Sequence, residues 1–375
     1  MTSLPESPRP APTRAAGAFE VRLSDSPLPE PDRRALIASP RFGTVFTDHM
    51  ARCTWTAGGG WSDRRIEKYG PLNLNPAAAV LHYGQEIFEG LKAYRHADGS
   101  VWTFRPEANA ARFARSAHRL ALPQLSAEDF LGSIEALVRV DAAWVPSGEE
   151  TSLYLRPFMY ASEDFLGVRA TQQAEYLVIA SPVGPYFAGG VKPVSIWVAQ
   201  DYHRSGAGGT GAAKCGGNYA ASLLPQQEAQ SKGCDQVCFL DASTNSLLEE
   251  LGGMNVFIVG ADGSVATPEL SGTILEGVTR SSILRLLADS GHDVQERPIA
   301  LAELRAGLAD GSVTEVFACG TAAVITPIGR LAGADFDLAV ADGAAGRVTT
   351  GLREALTDIQ YGRAADPHGW MHRLL

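Results

Sequence analysis

Gly206-Ala-Gly-Gly-Thr-Gly-Ala-Ala-Lys-Cys-Gly-Gly-Asn-Tyr219 is the densest signal in the chain, and how it is read decides the fold. It follows the strand-like run Val194 to Ala199 and leads into a helical pattern. Gly206, Gly208 and Gly211 satisfy G-x-G-x-x-G, with Asp235 some two dozen residues on, as a dinucleotide site would require. In such a unit the third glycine already packs a helix on the strand, whereas here Gly216 and Gly217 interrupt any helix begun at Gly211. A phosphate-binding Walker loop fails outright, since no glycine precedes Lys214. Two readings remain open. Either the segment is a plain flexible loop with a solvated lysine, or the glycines admit a planar ligand while Lys214 projects toward it as a covalent amine. The second requires an amine pKa well below about 10.4. The small or apolar neighbours Ala212, Ala213 and Cys215 suit that.

Working outward, Ser246-Leu-Leu-Glu-Glu-Leu-Gly-Gly-Met-Asn-Val-Phe257 sets two glutamates before a double glycine and an apolar strand. Alone it reads as one exposed and one capping carboxylate. The sharper reading pairs Glu250 with a protonated pyridine nitrogen of an electron-sink cofactor. Gly272 to Ser281 runs into a helical pattern, Thr279 to Ser290, whose start is either an ordinary helix cap or an anion site. Cys319-Gly-Thr-Ala322 would add a hydroxyl and an N–H to the same anion. Arg112, Arg115 and Arg119 recur at helical spacing, which usually marks a solvated face, although one of them could fork onto a phosphate. His368 and His372 have no further ligand close in sequence and read as structural, so no metal is expected.

The remainder of the chain bounds the function class. Its 375 residues carry 32 basic and 42 acidic side chains, a net charge of −10, with 45% hydrophobic residues. That length exceeds what one core usually serves and predicts two domains. An acidic surface without a Lys/Arg run argues against nucleic acid or anionic lipid as partner. Five scattered cysteines, none in a C-x-x-C pair, fit a reducing compartment such as the cytoplasm. No apolar run is long enough to span a bilayer. Residues 1–40 hold eight of the 22 prolines and read as a flexible polar arm. Residues 41–182 mix strand and helix signals, including a hairpin of Leu91 to Arg95 and Val101 to Phe104 around Ala97-Asp-Gly-Ser100. A helix opens at Pro106, and Ser126-Ala-Glu-Asp129 looks like a capping box for another. Residues 183–193 are rich in Gly and Pro and form the connector, and 194–375 alternate strands with helices in an α/β or α+β pattern.

Several blocks occur in order: Asn75-Pro76, Val80-Leu-His-Tyr-Gly-Gln-Glu-Ile-Phe-Glu-Gly-Leu-Lys-Ala-Tyr94, Leu153-Tyr-Leu-Arg-Pro157, Lys214-Cys-Gly-Gly-Asn-Tyr219, Gln227-Glu-Ala, Met254-Asn255, Gly320-Thr-Ala and Ile359-Gln-Tyr-Gly362. Together they resemble the branched-chain amino acid aminotransferases, of the fold type IV class of pyridoxal 5'-phosphate enzymes, from about residue 40 to the end. The resemblance implies a smaller N-terminal α/β domain, a larger C-terminal pseudo-barrel domain, the cofactor in the cleft between them, and a homodimer. It implies Lys214 as the covalent and proton-shuttling lysine, Tyr219 near the cofactor's phenolic oxygen and Glu250 at the pyridine nitrogen. Arg112, Leu275, Gly277, Val278, Thr279 and Thr321 complete the implied cofactor site. Substrate positions fall on Phe88, Tyr83, Tyr154, Arg156, Tyr186, Thr321 and Ala322, with Val168 lent by the neighbouring subunit.

The implied activity is transamination between leucine, isoleucine or valine and 2-oxoglutarate. Aromatic walls would take the aliphatic side chain, while tyrosine hydroxyls and Arg156 meet the γ-carboxylate of glutamate. Ala323 and Thr326 stand where some relatives carry a C-x-x-C redox pair, and Gly253 where some carry Thr, so neither feature transfers. Rival readings are a D-amino acid aminotransferase or an aminated-chorismate lyase of the same fold type, a nicotinamide-dependent dehydrogenase, and a non-catalytic vitamin-binding protein.

Overall fold

A computed structural model describes residues 18–40, 42–184 and 191–375. Tyr186, most of the expected connector and the first 17 residues of the expected arm lie outside them. Two nine-stranded sheets organise the described chain. In the first, the order is Glu20–Val21, Gly60–Lys68, His49–Thr56, Gln173–Val183, Ser152–Ala161, Leu91–Arg95, Val101–Phe104 and Met371–Arg373, with Glu86–Phe88 on Ser152–Ala161. All pairings are antiparallel except the first. Met371–Arg373 comes from the far C-terminus, and His372 hydrogen-bonds both Glu107 and Glu135 there.

Local chemistry explains several of these elements. The Asp-Gly turn forms as read, with Gly99 at φ 86° and Asp98 accepting from Ser100. Pro106 opens the helix Pro106–Arg119, and the Ser126 hydroxyl accepts from the Asp129 N–H at the start of Ala127–Val140. That capping is one-sided, because the Asp129 carboxylate is forked by Arg64. Phe113 and Phe130 from these helices meet Tyr176 of the sheet at ring separations of 5.5 and 6.3 Å, within one large core.

In the second sheet, Leu248–Leu251, Gln236–Leu240, Val194–Ala199, Val324–Ala332, Val313–Gly320 and Asn255–Gly260 pair in that order. Leu248–Leu251 then pairs with Asn255–Gly260 through Glu250 and Asn255 and closes a six-stranded ring. Closure removes the sheet edges at that point. Val256, Ile258, Val316 and Ala318 pack in one core cluster, while Phe257, Val259, Phe317 and Cys319 face another under the helices Val278–Asp289 and Arg347–Gln360. Strands covered on both faces read as continuous apolar runs, and the sequence from 256 to 259 does so for that reason.

The structure differs from the sequence reading in one place here. Within the expected flexible arm, Glu20–Val21 joins the first sheet and Glu30–Ala38 is helical. The stretch between them is tied down by hydrogen bonds to following residues: Ser24 N–H donates to His49 and Leu28 N–H to Asp48. As read, no helix runs on from Gly211; Gly216 and Gly217 instead open the short helix Gly216–Ala221 after a loop.

Candidate active site

Lys214 closes the glycine-rich loop, and its direction is set by its neighbours. Cys215 is extended, and Ala213 and Cys215 are both buried in the first core, so side-chain alternation turns Lys214 the other way. This gives Cys215 a packing role. The Lys214 ammonium donates to the Tyr219 hydroxyl at 2.6 Å and lies 4.7 Å from the centre of the Phe88 ring. Its backbone is pinned from both sides: its N–H donates to Ser116 and its carbonyl accepts from Phe88 N–H. Asn218 cross-braces the loop through the carbonyls of Thr210 and Ala213. At Gly211 a Cβ would overlap the Thr273 carbonyl, so the glycine is required for the loop to approach. Among the described residues this loop is no dinucleotide turn, and Lys214 is no solvated lysine.

Glu250 lines the same cavity of about 230 Å³, on the ring's closing strand. Both glutamates of the pair are buried, at 5% and 2% exposure, where the sequence alone had suggested one exposed carboxylate. All four residues of the strand are buried, so both side chains are largely withdrawn from water. Glu250 Oε1 takes the Leu275 N–H at 2.7 Å and Arg204 at 2.7 Å. Burial nevertheless pushes the carboxyl up to about 7, against the pull of Arg204. Arg204 also binds the carbonyls of Gly211 and Thr273, and so fastens the lysine loop to the carboxylate strand.

The other end of the cavity carries the donors an anion would need. Gly277, Val278 and Thr279 line it at the start of Val278–Asp289, a helix with no side-chain cap, so first-turn N–H groups remain available. Gly320, Thr321 and Ala322 face it from the hairpin between Val313–Gly320 and Val324–Ala332. Of the three spaced arginines, Arg112 alone lines the cavity. Its guanidinium is forked onto both oxygens of Glu89, at 2.7 and 2.8 Å, and donates to the Glu276 carbonyl at 2.9 Å. Arg115 pairs with Glu276, and Arg119 holds the carbonyls of Gly208 and Gly209. Leu275 and Glu276 are consecutive, so one stretch of backbone links the Glu250 end of the cavity to the Arg112 end.

Phe88, Tyr154 and Arg156 form the rim on the first sheet. Arg156 stacks 4.8 Å from the Phe88 ring centre and donates to the Tyr154 hydroxyl at 3.2 Å. No carboxylate among the described residues lies within ion-pair distance of it. Phe42, missed in the sequence, also lines the cavity and meets Tyr154 edge-on at 5.2 Å; it sits in a turn with no motif around it. Glu89 and Arg204 were missed too, because their role lies in contacts distant in sequence. Tyr83 and Val168 do not line the cavity of the single chain. Tyr83 donates to the Leu166 carbonyl on the surface, and Val168 is 91% exposed.

Residues 86–331 match the family described as amino-transferase class IV. A probable branched-chain-amino-acid aminotransferase of Streptomyces coelicolor is 54% identical, covering 95% of this chain and 98% of that protein. The branched-chain-amino-acid aminotransferase of Mycolicibacterium smegmatis is 53% identical with the same coverage. Among solved structures, the branched-chain amino acid aminotransferase of Escherichia coli superposes at a TM-score of 0.72, with 26% identity over 87% of this chain and 100% of its own. With the lysine, carboxylate and anion cradle converging on one cavity, this chain belongs to the class IV aminotransferases, in the branched-chain group.

Proposed function

We propose that the protein transfers the amino group of leucine, isoleucine or valine to 2-oxoglutarate, with pyridoxal 5'-phosphate as cofactor. The observation that carries this reading is a single cavity holding a lysine amine, a buried carboxyl that titrates near neutrality, and an anion cradle. These groups match the handles the cofactor offers. Lys214 would take its aldehyde carbon, Glu250 would face its ring nitrogen and Tyr219 its phenolic oxygen. Arg112, the N–H groups at Val278 and Thr279, and Thr321 would hold its phosphate, with Leu275 and Gly277 shaping the wall. When bound, the cofactor supplies a carbonyl carbon that accepts the amino group and a ring that delocalises negative charge.

The chain's own residues do the rest. Lys214 Nζ would remove the proton from the substrate Cα and deliver it to the carbon on the other side of the transferred nitrogen, a positioned acid–base role of about 10²–10⁴ in rate. The Tyr219 hydroxyl beside it orients the amine. Glu250 acts as a strong ion-pair partner once a protonated nitrogen stands before it, since that partner offsets the cost of its burial. Phe88, Phe42 and Tyr154 exclude water and offer apolar area for a branched side chain. Arg156 is free to meet the γ-carboxylate of glutamate, and Thr321 and Ala322 lie where an α-carboxylate would bind.

We further read the chain as two domains, 41–182 and 194–375, forming the walls of the cleft, except that Glu20–Val21 and Met371–Arg373 join the first domain's sheet, and as a cytoplasmic homodimer. Leu81, Tyr83, Leu166 and Val168 are all exposed on one stretch of the surface, as a subunit contact would leave them in a single chain, and Val168 and Tyr83 would then reach the neighbouring site. No described helix is long and apolar enough to cross a membrane. Purified protein should be yellow, bleach with leucine, and convert leucine and 2-oxoglutarate to a branched 2-oxo acid and glutamate. Lys214→Ala should abolish the colour and lower turnover by about 10²–10⁴-fold. A colourless wild-type protein that binds a nicotinamide cofactor would overturn the reading.

A further inference from the structure

The hairpin loop Thr321–Ala323, which brings Thr321 and Ala322 to the cavity, has an unusual backbone. Gly320 pairs with Val324, leaving three residues in the loop, and Val324 sits at φ 62°. Val324 is the first strand residue after that loop, and a left-handed backbone at a β-branched side chain is strained. Strain of this kind persists only where the surroundings over-determine it. Here two buried cations do so. Lys92, 8% exposed on the strand Leu91–Arg95, donates to the Ala322 carbonyl at 2.9 Å. Arg353, 8% exposed on the helix Arg347–Gln360, donates to the carbonyls of Ala323 and Ile325 at 3.1 and 3.2 Å. Arg353 is forked by Glu150, whereas Lys92 has no carboxylate within ion-pair distance among the described residues.

A buried ammonium whose acceptor is a single loop carbonyl is costly to keep, and burial pushes Lys92 down to about 8. Its ammonium does not reach the main cavity. It shares with Thr321 and Val324 a small void of about 20 Å³ that Val278 and Thr279 also line, on the far side of the cradle. Meanwhile the N–H groups of Thr321, Ala322 and Ala323 donate to no acceptor among the described residues. The loop is therefore bound through its carbonyls and left open at its donors.

We propose that Lys92 and Arg353 are positioning residues for this site: they grip the carbonyls of Ala322, Ala323 and Ile325 from behind and so hold the strained loop with its N–H groups and the Thr321 hydroxyl available to a bound phosphate or carboxylate. This rests on reading the cavity as the pyridoxal phosphate site. A merely structural role would cost stability without changing affinity, so the decisive readout is binding.

The test compares Lys92→Met, Lys92→Arg, Val324→Gly and the double variant Lys92→Met with Val324→Gly, in the full chain. Pyridoxal phosphate affinity is measured by absorbance, and inorganic phosphate binding by the thermal shift of the cofactor-free protein. Lys92→Met should weaken both by about tenfold, the worth of one charge-assisted hydrogen bond, and raise the leucine KM more than it lowers kcat. Lys92→Arg should restore most of the loss. Val324→Gly should restore it in the Met background, because an unstrained loop needs no clamp. If the Met variant does not fold, Lys92→Gln carries the same test, with an expected loss of about threefold. Unchanged affinities, or a Val324→Gly effect that merely adds to that of Lys92→Met, would overturn the proposal. A wild-type chain that binds no pyridoxal phosphate would defeat the reading of the cavity instead.

Discussion

Glu89 and Glu250 are the same residue type, both 2% exposed or less, and each meets an arginine. Their carboxyls move in opposite directions. Burial alone would raise Glu89, but the Arg112 fork together with Asn109 outweighs it and holds Glu89 below the usual carboxylate range. At Glu250 burial wins, and the group rises to about 7. The difference lies in the donors. Glu89 has both oxygens engaged by one planar guanidinium and further contacts from Asn109 and the Gly90 N–H. Glu250 shares Arg204 with two backbone carbonyls, has the second glutamate beside it and faces the open cavity. A satisfied carboxylate makes a rigid support; an under-satisfied one is ready for a cationic partner.

Glu89→Gln should break the contrast most severely, since it strands the buried Arg112 charge and costs about 3–5 kcal/mol of unfolding free energy. Glu250→Gln should cost less than half as much in the cofactor-free chain, because the charged form is already unfavourable there; equal losses in urea melts would refute the comparison. The same Glu250→Gln change should lower kcat by about 10²–10³-fold, measured in single-turnover assays with leucine.

The two groups also predict opposite pH dependences. Glu250 is raised from 4.5 to about 7, so its contribution to cofactor-free stability is present at low pH and lost as pH rises through that window, by about 3 kcal/mol. Glu89 is lowered, so its contribution is present at neutral pH and lost only as pH falls below the ordinary carboxylate range. Urea midpoints of the wild-type and Glu250→Gln chains between pH 5 and pH 8 should therefore diverge, and parallel curves would remove the assignment. The smallest effect expected is at the rim. Arg156→Ala should slow the glutamate half-reaction about tenfold more than the leucine one, and equal losses would deny Arg156 its carboxylate.

Much of this was legible in the sequence wherever the signal was local. The Asp-Gly hairpin, the Pro106 helix start, the Ser126 cap and the glycines around Lys214 each carry their cause within a few residues. Glu89, Arg204 and Phe42 do not. Glu89 lies 23 positions from Arg112, and nothing in its neighbourhood shows that an arginine will return to it. The burial of Glu249 escapes the sequence for a related reason: a carboxylate reads as exposed until the strand that carries it is covered on both faces. Lys92 is one of five lysines in the chain, but nothing beside it in the strand sets it apart, and only the approach of the Thr321 hairpin from the second sheet distinguishes it.

The sequence by itself determined the chemical inventory: a lysine among small residues, a carboxylate before a double glycine, a helix start open to an anion and an ordered set of blocks that place the chain in its family. Tertiary structure decided which members of each set act. Among the three arginines of one helix it turned Arg112 inward, and among the buried acids it made Glu89 a support and left Glu250 near neutrality. The physical reason is that desolvation and donor count, which set a buried group's charge, depend on neighbours brought in from distant parts of the chain.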